Sequence, residues 1–283
     1  MSDRADSPPT ETDPQDPDRS TGPAGGGDPA DRGTPAELLD PDDVDRDAAA
    51  RGRLYSLLAR GFRHPDETLH AAAVDGSLAA AVDDLADTVD LALDPPAPGT
   101  DDDFETLCAR YNDLFVVGYA TYEDRTDGSL ASEGPPVPLY ETTYRPEASW
   151  ADVNLDLARA YDYFGLEVDQ ADRDNHDALP LQLEFAAYLA RREALGEGGG
   201  AAARLDLLDR HLSYVAAGVC NGLADESGTG LYGDLGDLLA ALVQAEQADL
   251  GERSEAGAFD DTGDAGDVED AGDAEDAEHG DPS

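Results

Sequence analysis

Apolar side chains recur along the middle of the chain with the period of an α-helix. From Phe104 to Phe115 they stand at steps of three and four residues, and similar stripes return further along. Alternation with the two-residue period of a β-strand does not persist over a strand-like length. The helix-period stretches cover about residues 43–63, 66–75, 77–92, 102–117, 150–164, 180–195, 201–223 and 231–249. The pattern predicts an all-α fold, a single domain of seven or eight helices.

The two ends of the chain lack this pattern. Residues 1–42 consist mainly of Pro, Gly, Asp, Ser and Thr, and residues 251–283 carry 13 acidic side chains against one Arg. Such segments cannot bury enough apolar surface to offset the entropy lost on ordering. We therefore expect a disordered N-terminal segment (1–42), one helical domain (43–250) and an acidic low-complexity tail (251–283).

A long stretch from Tyr111 to Tyr144 interrupts the helical pattern. It begins as the end of a helix and closes on the proline-rich run 135–141, where Pro cannot continue a helix. Its middle, about 119–134, is Gly- and Asp-rich and reads as an acidic insertion. Long loops inside a compact domain are commonly functional, so the ends of this stretch are candidates for a binding surface.

The charge of the chain is strongly negative. Its formal net charge is −47, and all 18 basic residues are Arg. Residues 43–250 alone hold 41 acids and 14 Arg. This acidic, lysine-free composition is similar to that of proteins from halophilic archaea, where high salt screens self-repulsion. Without a basic patch, nucleic-acid binding is not expected.

Short motifs that could carry chemistry gain little support from their context. Residues 228–233 read Gly-Thr-Gly-Leu-Tyr-Gly, but no strand precedes this dinucleotide-like pattern, so a flexible helix entry is the simpler interpretation. Glu67 and His70 have the spacing of a di-metal bundle without its second copy. Segment 169–177 lacks the Gly and terminal Glu of a calcium loop. We predict no catalytic residue, no metal site and no bound cofactor.

The two cysteines and one histidine lie within apolar helical stripes. We therefore predict that Cys108 and Cys220 are reduced thiols in the core and that His211 lies at the edge of the core. Nucleophilic hydrolysis lacks its usual motifs. The sequence also shows no apolar leader and no apolar run near the roughly 18 residues of a membrane span. We expect a soluble, cytoplasmic protein without direct membrane insertion.

Five motifs, in this order along the chain, resemble the TorD/DmsD/NarJ family of molybdoenzyme-specific chaperones. Together they cover nearly all of 43–250. The motifs are Arg53-x-Tyr55-x-x-Leu58-Ala59-x-x-Phe62-x-x-Pro65, Tyr111-x-x-Leu114-Phe115, Pro136-x-Pro138-Leu139-Tyr140-Glu141-x-x-Tyr144, Tyr163-Phe164-Gly165-Leu166 and Leu179-Pro180-Leu181-Gln182-Leu183-Glu184-Phe185. One departure is the pair Asp177-Ala178, since the family commonly has Asp-His there and this chain has His176 before the Asp.

The resemblance implies an all-helical chaperone without enzymatic activity, present as a monomer or homodimer. Its partner would be the catalytic subunit of a molybdopterin oxidoreductase of the dimethyl-sulfoxide, TMAO or nitrate reductase type. Binding of the N-terminal or twin-arginine signal peptide would delay export until the molybdenum cofactor is inserted. Two alternatives remain open from the residues: a small nucleotide- or metal-dependent hydrolase acting through 169–177, and a permanent assembly subunit.

We expect the peptide in a groove between the helix at 102–117, the segment Pro135–Tyr144 and the helix at 180–190. Asp177, Glu141 and Glu184 would meet its arginines, although capping and surface solvation are the alternatives for these acids. The aromatic residues fit a hydrophobic core equally well. The predicted peptide-binding residues are Tyr111, Leu114, Phe115, Pro138, Tyr140, Glu141, Tyr144, Asp177, Leu181, Glu184 and Phe185.

Overall fold

A computed structural model describes residues 44–118, 120–124, 129–132, 134–168 and 175–259. The predictions for residues 1–42, for most of 251–283 and for 169–174 lie outside the described residues. The described helices are α1 (Arg46–Gly61), α2 (Glu67–Asp75), α3 (Ser77–Ala86), α4 (Phe104–Phe115), α5 (Trp150–Tyr163), α6 (Leu179–Ala194), α7 (Gly200–Leu207), α8 (Ser213–Asp225) and α9 (Leu231–Glu255).

A π-helical turn, Leu208–Leu212, joins α7 to α8, so that 200–225 form one continuous helix. Counted in this way the described residues contain eight helices, and the predicted all-α class is confirmed. The prediction of 201–223 as one helix is also correct. The helical period alone could not reveal the π turn, which adds one residue without changing the apolar character of the stripe.

The structure differs from the prediction in one added element and in two helix ends. The acidic insertion contains a two-stranded antiparallel hairpin, β1 (Ala120–Asp124) and β2 (Ser129–Ser132), which backbone pairing forms without an alternating apolar pattern. Helix α3 ends at Ala86 rather than near residue 92. Helix α9 continues to Glu255, where Arg253 pairs with Glu193 at 2.5 Å.

Aspartate side chains begin several of the helices. Asp45 accepts hydrogen bonds from the backbone N–H groups of Asp47 and Ala48 at the start of α1. Asp66 and Asp103 do the same for α2 and α4. These carboxylates satisfy N–H groups that lack partners in the first turn, and their charge is favourable at the positive end of the helix dipole.

Helices α1 and α6 pack along each other at the centre of the described domain. Their close approach depends on Gly52, where an added Cβ would lie 3.2 Å from the carbonyl oxygen of Ala187. Leu54 and Leu58 of α1 and Leu183 of α6 are fully buried there. Burial of each such side chain contributes about 2 kcal/mol, so this interface fixes α6 relative to the rest of the core.

A buried ion network connects α1, α6, α7 and α9. The guanidinium of Arg204 lies 2.7 Å from Glu246 and 2.8 Å from Glu193, and Arg51 lies 3.0 Å from Glu246. Neither Arg204 nor Glu246 is exposed. Burial alone would raise the pKa of Glu193, but the adjacent Arg204 and Arg253 lower it overall. Mutual pairing is what makes these buried charges tolerable.

Candidate functional site

The proline-rich segment is bound between the end of α4 and the start of α6. Val137 donates its N–H to the carbonyl of Leu114 at 2.9 Å. Leu179 donates to Leu139 at 2.8 Å, and Glu141 donates to the carbonyl of Asp177 at 3.1 Å. The predicted meeting of the segment 138–144 with the start of the 180–190 helix is therefore present in the structure.

Glu141 lies inside the protein rather than on a binding surface. Its side chain is 0% exposed, and its carboxylate accepts hydrogen bonds from Arg145 at 2.6 Å and Gln182 at 2.9 Å. The imidazole of His211 stands 3.1 Å from the same carboxylate. The protein's own groups thus satisfy the charge of Glu141, and its contact with a client arginine stays a prediction.

Asp177 also has a structural position. It is 1% exposed, and its Oδ2 accepts hydrogen bonds from the hydroxyl of Thr142 at 2.7 Å and from the Thr142 N–H at 3.2 Å. These bonds tie the 3-10 helix Glu141–Tyr144, through Thr142, to the residues just before α6. Asp177 thus holds Thr142 in place, and its contact with peptide arginines stays a prediction.

His211 contributes a contact that the sequence did not indicate. His211 lies in the π turn and is 6% exposed. Its Nδ1 faces the Glu141 carboxylate, and its Nε2 lies 3.0 Å from the carboxylate of Asp156 in α5. Arg210 pairs with the same Asp156. The burial of His211 was predicted, but its partners are 55 and 70 residues away, and a single sequence carries no signal for that distance.

The aromatic face of α4 belongs to the core. Tyr111, Leu114 and Phe115 are between 5% and 8% exposed, and the ring of Phe115 packs edge-on against Tyr232 at 5.2 Å. The Tyr111 hydroxyl donates to the carbonyl of Phe62 at 3.2 Å, and burial raises the pKa of Tyr111 to about 12. These three residues therefore lie in the core, and their place in a peptide groove stays a prediction.

Tyr144 and Tyr140 differ in exposure although both follow the prolines. The Tyr144 hydroxyl donates to the carbonyl of Pro138 at 2.7 Å, and its half-buried ring lies directly against Gly218 of α8. Tyr140 is 42% exposed. Of the predicted residues in this segment, Tyr140 presents the most surface to solvent.

An open cleft lies between α1 and α6, and we refer to it as the α1–α6 cleft. Its volume is about 720 Å³. Three predicted residues, Leu181, Glu184 and Phe185, come together in its wall. The lining is Ser56, Arg60, Arg63, Asp66, Tyr161, Leu166, Glu167, Val168, Leu181, Glu184, Phe185, Ala187, Tyr188 and Arg191. The helix opposite α6 is thus α1, not the predicted α4, because α4 turns its aromatic face into the core.

The α1–α6 cleft combines an apolar floor with charged rims. Phe185 and Tyr161, both 4% exposed, meet edge-on at 4.9 Å in the floor. On the rim, Arg63 lies 3.0 Å from Glu184, and Arg60 contacts Asp66 at 2.7 Å. Such a surface can bury apolar side chains while keeping charged groups in contact with water.

A second cleft of about 660 Å³ lies beside α5, α6 and α7 and shares Phe185 with the first. The guanidinium of Arg192 lies 5.5 Å above the ring of Phe164, a cation–π contact. Tyr163 at its edge is 83% exposed. Two openings, each lined by both apolar and charged side chains, therefore flank the C-terminal end of α5.

The remaining motifs have structural partners. The turn that contains Gly228 and Gly230 opens α9, and Arg110 donates a hydrogen bond to the Gly228 carbonyl. A ring nitrogen of His70 lies 2.9 Å from the carbonyl oxygen of Asp102. Both cysteines are free and half-buried. Among the described residues, none of the helices has the length and apolar character needed to cross a bilayer.

The comparison with known families gives a match over more than half of the chain. Residues 71–219 match the model of a family described as the nitrate reductase delta subunit. This span contains four of the five motifs quoted above and the α5–α6 wall of both clefts.

Curated relatives point the same way. The selenate reductase assembly chaperone of Thauera selenatis is 34% identical over 53% of this chain and 73% of its own length. The perchlorate reductase assembly chaperone of Dechloromonas aromatica is 29% identical over 58% of this chain and 73% of its own length. The chlorate reductase assembly chaperone of Ideonella dechloratans is 33% identical over 53% of this chain and 72% of its own length.

Proposed function

Because this chain belongs to the nitrate reductase delta subunit family, we propose that it is an assembly chaperone for a molybdopterin oxidoreductase. Three curated relatives are named as assembly chaperones of selenate, perchlorate and chlorate reductases. The role proposed for this chain is to bind the catalytic subunit before the molybdenum cofactor is inserted. The chain itself catalyses no reaction and acts in the cytoplasm.

The observation that carries the binding mode is the α1–α6 cleft. Its floor is apolar, its rims hold exposed charges, and three residues of the predicted peptide site line it. An apolar segment from the client's N-terminal region would bury its side chains against Leu181 and Phe185. Burial of apolar surface supplies most of the affinity in such helix-lined grooves, while the charged rim selects the partner.

The test is co-expression with the molybdopterin subunit encoded nearest to this chain. We expect the client to bind more molybdenum and to show higher reductase activity when the chaperone is present. Leu181→Asp, which places a charge in the cleft, should remove this effect. Leu195→Asp is the matched control, because Leu195 is 42% exposed at the end of α6 and lies outside the cleft lining.

Two results would contradict the proposal. If the client contains the same amount of molybdenum with and without the chain, the proposed chaperone function is wrong. If the chain assists the client and Leu181→Asp assists it equally well, the function stands but the cleft is not its binding site. Circular dichroism of both variants establishes that they remain folded.

A further inference from the structure

The imidazole of His211 stands between two carboxylates that come from different parts of the fold. Its Nδ1 lies 3.2 and 3.1 Å from the two carboxylate oxygens of Glu141, the last residue of the proline-rich segment. Its Nε2 lies 3.0 Å from a carboxylate oxygen of Asp156 in α5. Both nitrogens of this buried ring therefore face an acid.

A neutral imidazole cannot satisfy both contacts. It has one N–H donor and one nitrogen lone pair, whereas an ionised carboxylate only accepts hydrogen bonds. One of the two contacts would then bring a lone pair against a carboxylate oxygen at hydrogen-bond distance, which is repulsive. The imidazolium has two N–H donors, so it can bond Glu141 and Asp156 together, and both bonds are charge-assisted.

The neighbouring cations are bonded to these carboxylates and not to the ring. Arg145 donates to Glu141 at 2.6 Å, and Arg210 pairs with Asp156. With His211 protonated, the row Arg145–Glu141–His211–Asp156–Arg210 alternates between cation and anion along its whole length. With a neutral ring, the two acids face each other across a dipole that can favour only one of them.

The other charged and titratable groups around the ring come from the remaining elements packed there. Asp206 of α7 pairs with Arg210 at 3.1 Å, and Asp177, just before α6, accepts the Glu141 N–H through its carbonyl. Among the described residues, none of the other such groups in the adjoining openings bonds to the ring. These are Glu147, Asp152, Arg159, Arg192, Asp209 and Tyr214.

We propose that His211 is a proton-dependent clamp, an imidazolium at neutral pH that holds α5 to the proline-rich segment and loosens this contact when it loses a proton. His211, Asp156 and Arg210 line both the second cleft and a smaller opening of about 540 Å³ beside it. Loss of the proton thus weakens the wall that the two openings share. Arg145 still donates to the carbonyl of Arg210 at 2.8 Å, so the segment stays attached to the π turn.

The first experiment determines the protonation state directly. The full chain is labelled with ¹⁵N in its histidines, and the signal that disappears in His211→Gln is assigned to His211. We expect both ring nitrogens of His211 to carry a proton at about pH 7. The clamp does not depend on the proposed function, because neither a client nor a peptide takes part in this measurement.

The second experiment measures the effect on stability by urea unfolding at several pH values. A ring that binds its second proton more tightly in the folded chain stabilises the fold below about pH 6.5, where an unfolded histidine titrates, and this stabilisation disappears as the pH rises further. The urea midpoint of the wild type should therefore fall more between about pH 6 and pH 9 than that of His211→Gln.

Two variants make this comparison specific. Asp156→Asn removes the charge of the partly exposed partner and should reduce the excess fall, which tests the clamp even if His211→Gln does not fold. His70→Gln is the matched control, because a ring nitrogen of His70 lies 2.9 Å from a single carbonyl oxygen, that of Asp102, and a neutral ring satisfies this contact. It should fall with pH as the wild type does.

The inference is overturned if His211 has only one protonated nitrogen at about pH 7. It is also overturned if the wild type loses no more of its urea midpoint with rising pH than His211→Gln and Asp156→Asn do. An equal effect of His70→Gln would overturn it as well, because the pH dependence would then not belong to the ring between the two carboxylates.

Discussion

Gly218 of α8 offers a sharp test of how the proline-rich segment is held. A Cβ added at Gly218 would lie 2.2 Å from Cγ of Tyr144 and 2.3 Å from Cδ1. Ordinary van der Waals contact begins at 3.4 Å, so the Tyr144 ring must retreat by about 1.2 Å or rotate away. We therefore expect Gly218→Ala to destabilise the domain by displacing Tyr144.

The expected magnitude follows from opposing contributions. Replacing Gly with Ala in a helix normally stabilises by about 1 kcal/mol. Overpacking a filled site costs about 1–3 kcal/mol, and loss of the Tyr144–Pro138 hydrogen bond costs about 1 kcal/mol more. The free energy of unfolding should therefore fall by about 1–3 kcal/mol.

The assay is denaturant unfolding followed by circular dichroism in concentrated KCl. Gly251→Ala in α9 is the matched control, because a Cβ there meets no atom within 4 Å. It should raise the free energy of unfolding by about 0.5–1 kcal/mol. In a Tyr144→Ala background, Gly218→Ala should lose its cost and resemble the control, since the ring it strikes is gone.

An equal gain in stability from Gly218→Ala and Gly251→Ala would refute the reasoning, because it would mean that the Tyr144 ring does not lie against α8. A loss that persists undiminished in the Tyr144→Ala background would refute it in a second way, by assigning the cost to something other than this contact.

Two further predictions concern carboxylates held in ion pairs. Glu141→Gln should lower the free energy of unfolding by about 2–3 kcal/mol, because Arg145 and His211 lose their shared anion. Glu147 is an exposed partner of the same Arg145, so Glu147→Gln should change the free energy of unfolding by less than about 0.5 kcal/mol. Glu193 has a folded-state pKa below its ordinary 4.5, so its contribution is present above that pH and disappears as the pH falls through the lowered value. Wild type should therefore lose more stability than Glu193→Gln on acidification below about pH 5, as measured by urea unfolding at each pH; equal losses would contradict this assignment.

The existence of the helices was predictable because the apolar stripes of α4, α6 and α9 repeat over several turns. The side chains of each stripe are buried together in the core. Helix ends were less predictable. The end of α9 depends on Arg253 reaching Glu193, a partner 60 residues away. The hairpin of β1 and β2 escaped prediction because its pairing is between backbone groups and leaves no apolar signature.

The site was predictable in part for a related reason. Periodicity placed Leu181 and Phe185 on the inner side of α6, and both line the α1–α6 cleft. The same periodicity could not separate Glu184, which stays at the rim, from Glu141, which is buried. That difference is made by Gln182 and His211, whose approach to Glu141 depends on how distant helices pack.

The π turn at Leu208–Leu212 accommodates one extra residue between α7 and α8. A residue removed from regular α-helix would rotate everything after it by about 100°, but a residue removed from this wider turn would leave regular α-helix and keep the faces of α8 where they are. Gly218 would then still face the Tyr144 ring, whereas His211, which lies in the turn itself, would lose its place beside Glu141. A relative that lacks the extra residue would therefore keep the packing of α8 against the proline-rich segment and give up the histidine contact.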